Sequence, residues 1–298
     1  MKSLRKYIAE AKANKRAVGH FNISNMEGVW AIAKAREVVS KELGWQVPVI
    51  IGVSEGERDF FGVKQIAAVV KSLRAAGAPI FLNADHTYSF ERVKEAIDAG
   101  YDAVIFDGTE LPFEENVRVT KQCAAYAKQK KAFLSEKVIV EAELGYIGKS
   151  SKVLEAVPDG ASISEESLVK PELAKEFVKA TGIDMLAPAV GNIHGMFAKG
   201  KDPALNIGRV AAVSASTGGL PLVLHGASGN TDEDIRAAIR VGVAVVHVST
   251  ELRVAYRTAL DASLAANPKE VAGYKYLAAP REAVQKVVEE KLRVFNVK

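Results

Sequence analysis

The sequence predicts a (β/α)8 barrel, and three observations support this prediction. Short runs of aliphatic and β-branched residues alternate eight times with amphipathic helical stretches along the chain. Most runs, such as VPVIIGV and LPLVLHG, are apolar at consecutive positions, which is typical of parallel strands buried on both faces. Glycine often stands between a helical stretch and the next strand, where a left-handed residue ends a helix. Together these features indicate a TIM barrel, an α/β fold of eight parallel strands.

The eight predicted strands are distributed along nearly the whole chain. They are Ala17–Asn22, Val47–Val53, Pro79–Asp85, Asp102–Asp107, Val138–Leu144, Asp184–Val190, Pro221–Gly226 and Val243–Val248. An open doubly wound sheet is the competing architecture, but no G-x-G-x-x-G motif follows the first strand. No stretch rich in Pro, Gly or Ser marks a domain boundary. We therefore expect residues 1–298 to form a single barrel domain with an N-terminal helix and a C-terminal helical extension.

Composition argues against several classes of function. The 298 residues are 48% hydrophobic and 26% charged, so the chain has enough apolar material to fold. A net charge of +4 is too weak to indicate a nucleic-acid partner. Cys123 is the only cysteine, which excludes an intrachain disulfide and fits a reducing cytoplasm. The N-terminal segment lacks the apolar stretch of a signal peptide, and no run is long enough to cross a membrane.

Histidines collect at one end of the predicted barrel. His86 follows the third strand, His194 follows the sixth, and His225 ends the seventh. Reactive side chains of such barrels lie at the C-terminal ends of strands. A single histidine there is more often a packed residue, but three together predict a catalytic zinc site with a fourth position open for substrate. Such an ion polarises a carbonyl or enediolate oxygen as a Lewis acid.

Two glycine-containing segments predict a phosphate site at the same end. HGM at 194–196 and HGASGN at 225–230 place glycines directly after two of the histidines. Glycine lets backbone N–H groups approach an anion, and a helix predicted to begin near Thr231 would present its positive end there. A tight turn without a ligand is the alternative, and this pattern alone leaves both open.

Five segments, in chain order, carry a resemblance to a known family. They are LNADHTYSFERVKEAIDAGYDAVIFDGTELPFEENV, VEAELGYIG, GNIHGMF, LVLHGASG and VHVSTEL. They resemble the zinc-dependent class II fructose-bisphosphate aldolases, and most closely the branch that includes tagatose-bisphosphate aldolases. GHFNISNMEGVWAI is similar to the opening strand and helix of that family. The resemblance implies a barrel lyase of carbohydrate metabolism that reversibly cleaves a ketose bisphosphate into dihydroxyacetone phosphate and an aldehyde, such as glyceraldehyde 3-phosphate.

The resemblance also implies roles for individual residues. Asp85 is expected to be the acid/base at the substrate C4 hydroxyl, although a carboxylate beside His86 could instead orient a histidine. Asn22 is expected to orient the substrate. The implied zinc ligands are His86, His194 and His225, with Asp107 and Glu143 near a second or alternate metal position.

The phosphate end is assigned in the same way. A phosphate and an associated monovalent cation, Na⁺ or K⁺, are expected near Gly195, Gly226, Ser228 and Thr250. Family members usually carry asparagine where this chain has His247. That histidine is expected to contact the phosphate, with metal ligation and neutral packing as alternatives.

The chain departs from the family pattern in the loop predicted over Gly145–Lys170. Lys149 replaces a glycine there, and Ser150 and Ser151 stand where acids are common. Glu155 is the candidate to replace a missing loop acid, and Lys149 is expected to meet a substrate phosphate from a mobile lid. The acidic segment after the second strand, in IGVSEGERDFFG, is also not the commonest form in the family. Together with His247, these departures put substrate choice in doubt.

Two other functions stay open at this stage. One is a zinc hydrolase of barrel form, although the H-x-H pair typical of its first strand is absent. The other is a barrel that binds sugar phosphates without catalysis. The resemblance further implies a homodimer or homotetramer. Arg281 is expected either to reach the phosphate of a neighbouring subunit or to be a surface residue.

Overall fold

Eight parallel strands close into a barrel, as the sequence predicts. A computed structural model describes residues 1–132, 136–148, 153–156, 164–197 and 203–296. The barrel strands are β1 (Val18–Asn22), β2 (Val49–Val53), β3 (Ile80–Thr87), β4 (Ala103–Phe106), β5 (Ile139–Leu144), β7 (Met185–Pro188), β9 (Leu222–Leu224) and β10 (Val243–Val248). Their order around the barrel is β1-β10-β9-β7-β5-β4-β3-β2. Two short strands, β6 (Val153–Leu154) and β8 (Met196–Phe197), pair with each other outside the barrel.

Helices follow the strands and surround the barrel. They are α1 (Leu4–Ala13), α2 (Met26–Leu43), α3 (Glu55–Phe61), α4 (Val63–Ala75), α5 (Phe90–Asp98), α6 (Phe113–Ala127), α7 (Pro171–Thr181), α8 (Ile207–Ser216), α9 (Asp232–Val241), α10 (Thr250–Ala266), α11 (Gly273–Tyr276) and α12 (Ala278–Asn296). The C-terminal helix α12 packs against α2 and α10. Among the described helices, none is both long and apolar enough to cross a bilayer.

Helix α1 covers the N-terminal end of the barrel. Its buried side chains Leu4, Tyr7 and Ile8 recur at helical spacing and therefore share one face. They pack on a layer of buried strand residues: Val18, Ile50, Phe81, Ala103, Ile139, Met185, Ala187, Val223, Ala244 and Val245. This apolar layer fills the lower barrel and leaves the C-terminal end for polar chemistry.

Polar side chains lie above this layer because alternate strand residues face the same side. Along β1, Val18 belongs to the apolar layer, His20 is fully buried above it, and Asn22 lines a cavity at the open end. Gly52 of the neighbouring strand makes room for the histidine. A Cβ atom at position 52 would lie 2.0 Å from His20 Cε1. The ring of His20 therefore requires glycine at this point of β2.

We expect Gly52→Ala to destabilise the barrel. The added methyl group would displace a fully buried ring, and overpacking of this kind costs about 1–3 kcal/mol. Urea unfolding measures the change in the free energy of unfolding. Gly56→Ala is the matched control, because a Cβ there meets nothing within 4 Å. Equal stability of the two variants would contradict the tight packing of Gly52 against His20.

Candidate active site and metal centre

A cavity of about 370 Å³ opens at the C-terminal end of the barrel. It brings together most of the residues that the sequence predicts for the site. These are Asn22, Asp85, His86, His194, Gly195, His225, Gly226, Ser228, His247 and Thr250. Asp107 and Glu143 lie against His86 instead of in the cavity lining.

The three histidines expected to bind zinc form one cluster. The ring centroid of His86 lies 4.6 Å from that of His194 and 5.0 Å from that of His225. The centroids of His194 and His225 are 5.6 Å apart. Each ring offers a nitrogen, and the three nitrogens lie within 4.8 Å of one another. Three imidazole nitrogens at one point form a donor set that fits zinc with an open fourth position.

In two of the three rings an oxygen atom contacts one ring nitrogen, which leaves the other nitrogen for a metal. Glu141 Oε1 lies 2.7 Å from His225 Nε2, while His225 Nδ1 is buried without a hydrogen-bond partner in the described part of the chain. The carbonyl oxygen of Gly148 contacts Nδ1 of His194, so that Nε2 is its nitrogen for a metal. An oxygen on one ring nitrogen and a metal on the other is the usual arrangement of ligating histidines. Burial lowers the pKa of His194 to about 4, which keeps this ring neutral and able to ligate.

Two carboxylates adjoin His86. Its Nδ1 lies 3.1 Å from Asp107 Oδ2 and 2.9 Å from Glu143 Oε1. Burial alone lowers the pKa of His86, but Asp85, Glu143 and Asp107 together raise it well above its ordinary value. Without a metal His86 therefore holds a proton, which an ion must displace. His86, Asp107 and Glu143 also form a second group that could hold a cation.

Asp85 lies beside this cluster with defined partners. Asn22 Nδ2 donates to Asp85 Oδ2 at 2.9 Å, and Asp85 Oδ1 lies 3.9 Å from His86 Nε2. Burial alone raises the pKa of Asp85, but the histidines around it hold that pKa well below its usual range. Asp85 is therefore an ionised carboxylate and can accept a proton from a substrate hydroxyl.

A bend in β3 positions Asp85 and His86 together. His86 has φ of 29°, and the pairing of β3 with β4 shifts register between Ala84 and Thr87. The fully buried Arg58 holds this bend: Nη1 donates to the Asp85 carbonyl at 3.0 Å and Nη2 to Thr87 Oγ1 at 3.1 Å. Arg58 also donates to the carbonyl of Val53 at 2.8 Å. The bend is thus fixed by a side chain of α3, the helix that follows β2.

His247 lies deeper than a simple phosphate ligand would. Its ring stacks on His20 at 3.4 Å and on His225 at 4.0 Å, and its Nδ1 lies 3.5 Å from Asp85 Oδ1. Burial, with His20 and His225 nearby, lowers the pKa of His247 well below its ordinary value. His247 is therefore a neutral ring beside Asp85. It also borders the cavity, and its contact with a phosphate stays a prediction.

One wall of the cavity, the glycine wall, is built from glycines and hydroxyl residues: Gly195, Gly226, Ser228, Ser249 and Thr250. Gly226 has φ of 60°, and a Cβ there would lie 1.9 Å from the carbonyl oxygen of Ile193, so no side chain fits. The hydroxyl of Ser249 is buried without a hydrogen-bond partner in the described chain. The helix that begins at this wall is α10, with Thr250 in its first turn. A helix also begins after Thr231, as expected, but this start of α9 does not line the cavity. Backbone N–H groups at this start suit an anion.

Three residues of the site were not predicted from the sequence. Glu57 and Arg58 follow β2, and Arg253 lies in the first turn of α10 and lines the cavity. One signal was readable: Ser54 and Glu57 have the spacing of a capping box, and they form one in the structure. Arg58 contacts β3 and Arg253 contacts Glu57 of α3, so these contacts left no local signal in the sequence.

The remaining predicted residues lie outside the described part of the chain or on its surface. Lys149, Ser150 and Ser151 lie outside the described residues, so the expected lid contact of Lys149 stays a prediction. Glu155 is exposed in the described segment 153–156, and Arg281 is exposed on α12.

Comparison with known proteins identifies the family. The family pattern described as fructose-bisphosphate aldolase class-II matches residues 2–298. The chain belongs to this family. A fructose-bisphosphate aldolase from Staphylococcus aureus is 39% identical over 300 residues, covering 99% of this chain and 96% of that protein. One from Geobacillus stearothermophilus is 38% identical over 298 residues, with the same coverage.

A solved structure agrees with this assignment. The YdjI aldolase from Escherichia coli K12 is 29% identical and superimposes with a TM-score of 0.79, covering 99% of this chain and 97% of that one. Membership of the class II aldolase family supports a lyase that acts on a sugar phosphate. The expected family and barrel fold are therefore confirmed.

We expect Arg58→Lys to weaken both stability and the metal centre. A lysine ammonium cannot reach three acceptors, and each buried acceptor left unsatisfied costs about 1–3 kcal/mol. The free energy of unfolding and the zinc content per chain both fall if Arg58 holds the bend at His86. Arg118→Lys, on an exposed arginine paired with Glu115, is the control and stays within about 0.5 kcal/mol of wild type. Full zinc content and unchanged stability in Arg58→Lys would refute the role of Arg58.

Proposed function

We propose that this chain is a zinc-dependent aldolase that reversibly cleaves fructose 1,6-bisphosphate into dihydroxyacetone phosphate and glyceraldehyde 3-phosphate. The observation that carries the proposal is the cluster of His86, His194 and His225 with the ionised Asp85 beside it. The names of the Staphylococcus and Geobacillus relatives support fructose as the sugar. Tagatose 1,6-bisphosphate is the competing substrate.

The metal of the proposal is held by the three histidines. Glu141 and the Gly148 carbonyl fix the orientation of two of the rings from behind. Bound there, zinc would supply a Lewis acid that stabilises the negative charge developing on the substrate when the C3–C4 bond breaks. Asp107 and Glu143 hold His86 in place and offer the second or alternate metal position that the resemblance implies.

Asp85 is the proposed acid/base of the reaction. Its carboxylate takes the proton of the C4 hydroxyl, the C4 oxygen becomes the aldehyde carbonyl, and the electrons of the C3–C4 bond pass to the ketose half as an enediolate. Protonation of this enediolate at C3 then gives dihydroxyacetone phosphate. Asn22 donates to Oδ2 of Asp85, and Oδ1 faces the histidine cluster, 3.9 Å from His86 Nε2. In the direction of synthesis, Asp85 returns the proton to the new hydroxyl.

The substrate phosphate next to the ketone is assigned to the glycine wall. Gly195, Gly226 and Ser228 border the cavity there, together with Thr250 at the start of α10. Their backbone N–H groups and hydroxyls suit a phosphate dianion, and a Na⁺ or K⁺ ion would lower the charge of the assembled site. The neutral ring of His247 lies at the boundary between this wall and Asp85, with Nδ1 3.5 Å from Asp85 Oδ1.

Two wider properties belong to the proposal. Family resemblance supports a homodimer or homotetramer, with Arg281 on α12 as the candidate to reach a neighbouring site. A cytoplasmic location is proposed because Cys123 is the only cysteine of the sequence, which fits a reducing compartment.

The direct test is an aldol-cleavage assay that couples triose-phosphate release to a second enzyme. Fructose 1,6-bisphosphate and tagatose 1,6-bisphosphate are measured side by side with the zinc-loaded protein. Preferential cleavage of the fructose substrate supports the proposal. Preference for tagatose would correct the substrate, and lack of cleavage of either would favour a sugar-phosphate-binding barrel.

Removal of metal is expected to abolish cleavage. Prolonged chelation takes the ion from the histidine cluster, and zinc or cobalt should restore the rate. Borohydride added with substrate should trap no Schiff base, because the proposed reaction uses no lysine. Full activity of protein shown to be metal-free would contradict the zinc-dependent reaction.

Asp85→Asn is expected to lower kcat by about 10²–10⁴-fold, which is the usual cost of losing a general base. The amide has nearly the same shape, so zinc content should stay at the wild-type level. Asp98→Asn, on the exposed face of α5, is the control and should keep full activity. Loss of zinc along with activity in Asp85→Asn would show that Asp85 mainly supports the metal ligands.

A further inference from the structure

One buried carboxylate beside the cavity takes no part in the proposed reaction. Glu57 lies in α3, the helix that follows β2, and only 7% of the residue is exposed. Burying a carboxylate costs free energy unless hydrogen bonds or cations replace the lost water. The partners of Glu57 therefore indicate what this side chain does beside the candidate active site.

Five hydrogen bonds from the described residues hold Glu57 in one place. Its Oε2 accepts from the backbone N–H of Ser54 at 2.8 Å and from the Ser54 hydroxyl at 3.0 Å. Its Oε1 accepts from Arg253 Nη2 at 2.6 Å and from the Ser24 hydroxyl at 3.3 Å. The fifth donor is Asn22 Nδ2, which lies 3.1 Å from Oε2. The carboxylate is thus a fixed acceptor, held by its own helix and by α10.

The amide group of Asn22 lies between Glu57 and Asp85. The same nitrogen, Nδ2, lies 3.1 Å from Glu57 Oε2 and 2.9 Å from Asp85 Oδ2. A side-chain amide nitrogen has two N–H donors, and a carboxylate oxygen only accepts. The two carboxylates therefore use both donors of Asn22. An amide turned by 180° would place its oxygen against two carboxylates and lose both hydrogen bonds, so Glu57 fixes which end of Asn22 faces Asp85.

We propose that Glu57 is a positioning residue, which acts through Asn22 to hold Asp85 in the orientation that takes the C4 proton. This proposal rests on the proposed aldolase function and deepens it by naming a residue that prepares the base before substrate arrives. A general base must lie within hydrogen-bond reach of its proton, and small errors of placement lower the rate steeply. Without the Glu57 carboxylate, Asn22 loses one of its two anchors and Asp85 loses a fixed donor at Oδ2.

The effect of Glu57 should be confined to the step that uses Asp85. None of the hydrogen bonds that Glu57 makes in the described chain reaches His86, His194 or His225. Removal of the C3 proton from dihydroxyacetone phosphate forms the enediolate without a C4 hydroxyl, so this half of the reaction does not need Asp85. Cleavage and proton exchange at C3 therefore report on the base and on the rest of the site separately.

The first test compares these two steps in zinc-loaded Glu57→Gln. Cleavage of fructose 1,6-bisphosphate is measured by triose-phosphate release, and exchange of the C3 proton of saturating dihydroxyacetone phosphate with D2O is followed by proton NMR. We expect kcat for cleavage to fall about 10–100-fold, as for loss of a hydrogen bond to a charged group. Exchange should change less than about 2-fold. An equal loss of both rates, or unchanged cleavage, would overturn the proposal.

A double-mutant cycle with Asn22 tests the path of the effect. If Glu57 acts through Asn22, Glu57→Gln should lower cleavage by less than about 2-fold once Asn22 is replaced by alanine. Losses that multiply in full would show that Glu57 acts by another route and would refute the path. Asp59→Asn is the matched control, because it changes a carboxylate of the same helix that is 65% exposed and paired with Arg92. It should leave cleavage and exchange at the wild-type rates.

Crystal structures of the zinc-loaded wild type and Glu57→Gln separate this proposal from the proposed function. In the variant we expect Asn22 Nδ2 and Asp85 Oδ2 to move out of hydrogen-bond distance, while the three histidine rings keep their positions. If the protein cleaves no ketose bisphosphate but shows this change, the proposed function fails and the role of Glu57 in holding Asp85 stands. If Asn22 and Asp85 keep their wild-type positions in the variant, the role of Glu57 is refuted whatever the activity.

Discussion

The bend in β3 is the constraint on which the rest of the site depends. Adjacent residues of a regular strand face opposite sides, so an unbent strand could bring only one of Asp85 and His86 into the cavity. The left-handed backbone of His86 and the register shift beside it bring both to the same face. A non-glycine residue at positive φ is strained, and the surrounding structure must hold it. The buried guanidinium of Arg58 provides that support from the neighbouring helix α3.

Charge balance explains why acidic side chains and histidines are buried together at the candidate metal centre. Asp85, Asp107, Glu141 and Glu143 are all buried at the level of the histidines. Burying carboxylates costs free energy unless cations or hydrogen bonds compensate for the lost water. Imidazoles provide part of that compensation: His86 contacts Asp107 and Glu143, and His225 contacts Glu141. Burial raises the pKa of Glu141. A dication held by the three histidines would complete the balance, so the site is electrostatically matched to a metal.

The fold and the clustering of the three histidines could be predicted because their signals are local. Apolar runs mark the strands, and a residue at the end of a parallel strand must lie at one rim, which is why His86, His194 and His225 were found. Arg58 and Arg253 could not be found in this way, because their partners lie on other strands and helices. The depth of His247 was equally hidden, since stacking on His20 depends on the space left by Gly52 across the barrel.

Zinc X-ray absorption spectroscopy on the purified protein tests the central claim most directly. The account predicts about one zinc per chain with three nitrogen ligands at roughly 2.0–2.1 Å and one oxygen. The nitrogen count should fall in a variant such as His194→Ala, which removes one ring while leaving Asp107 and Glu143 in place. Coordination by oxygen alone, or a nitrogen count that is the same in His194→Ala, would contradict a metal centre built on these three histidines.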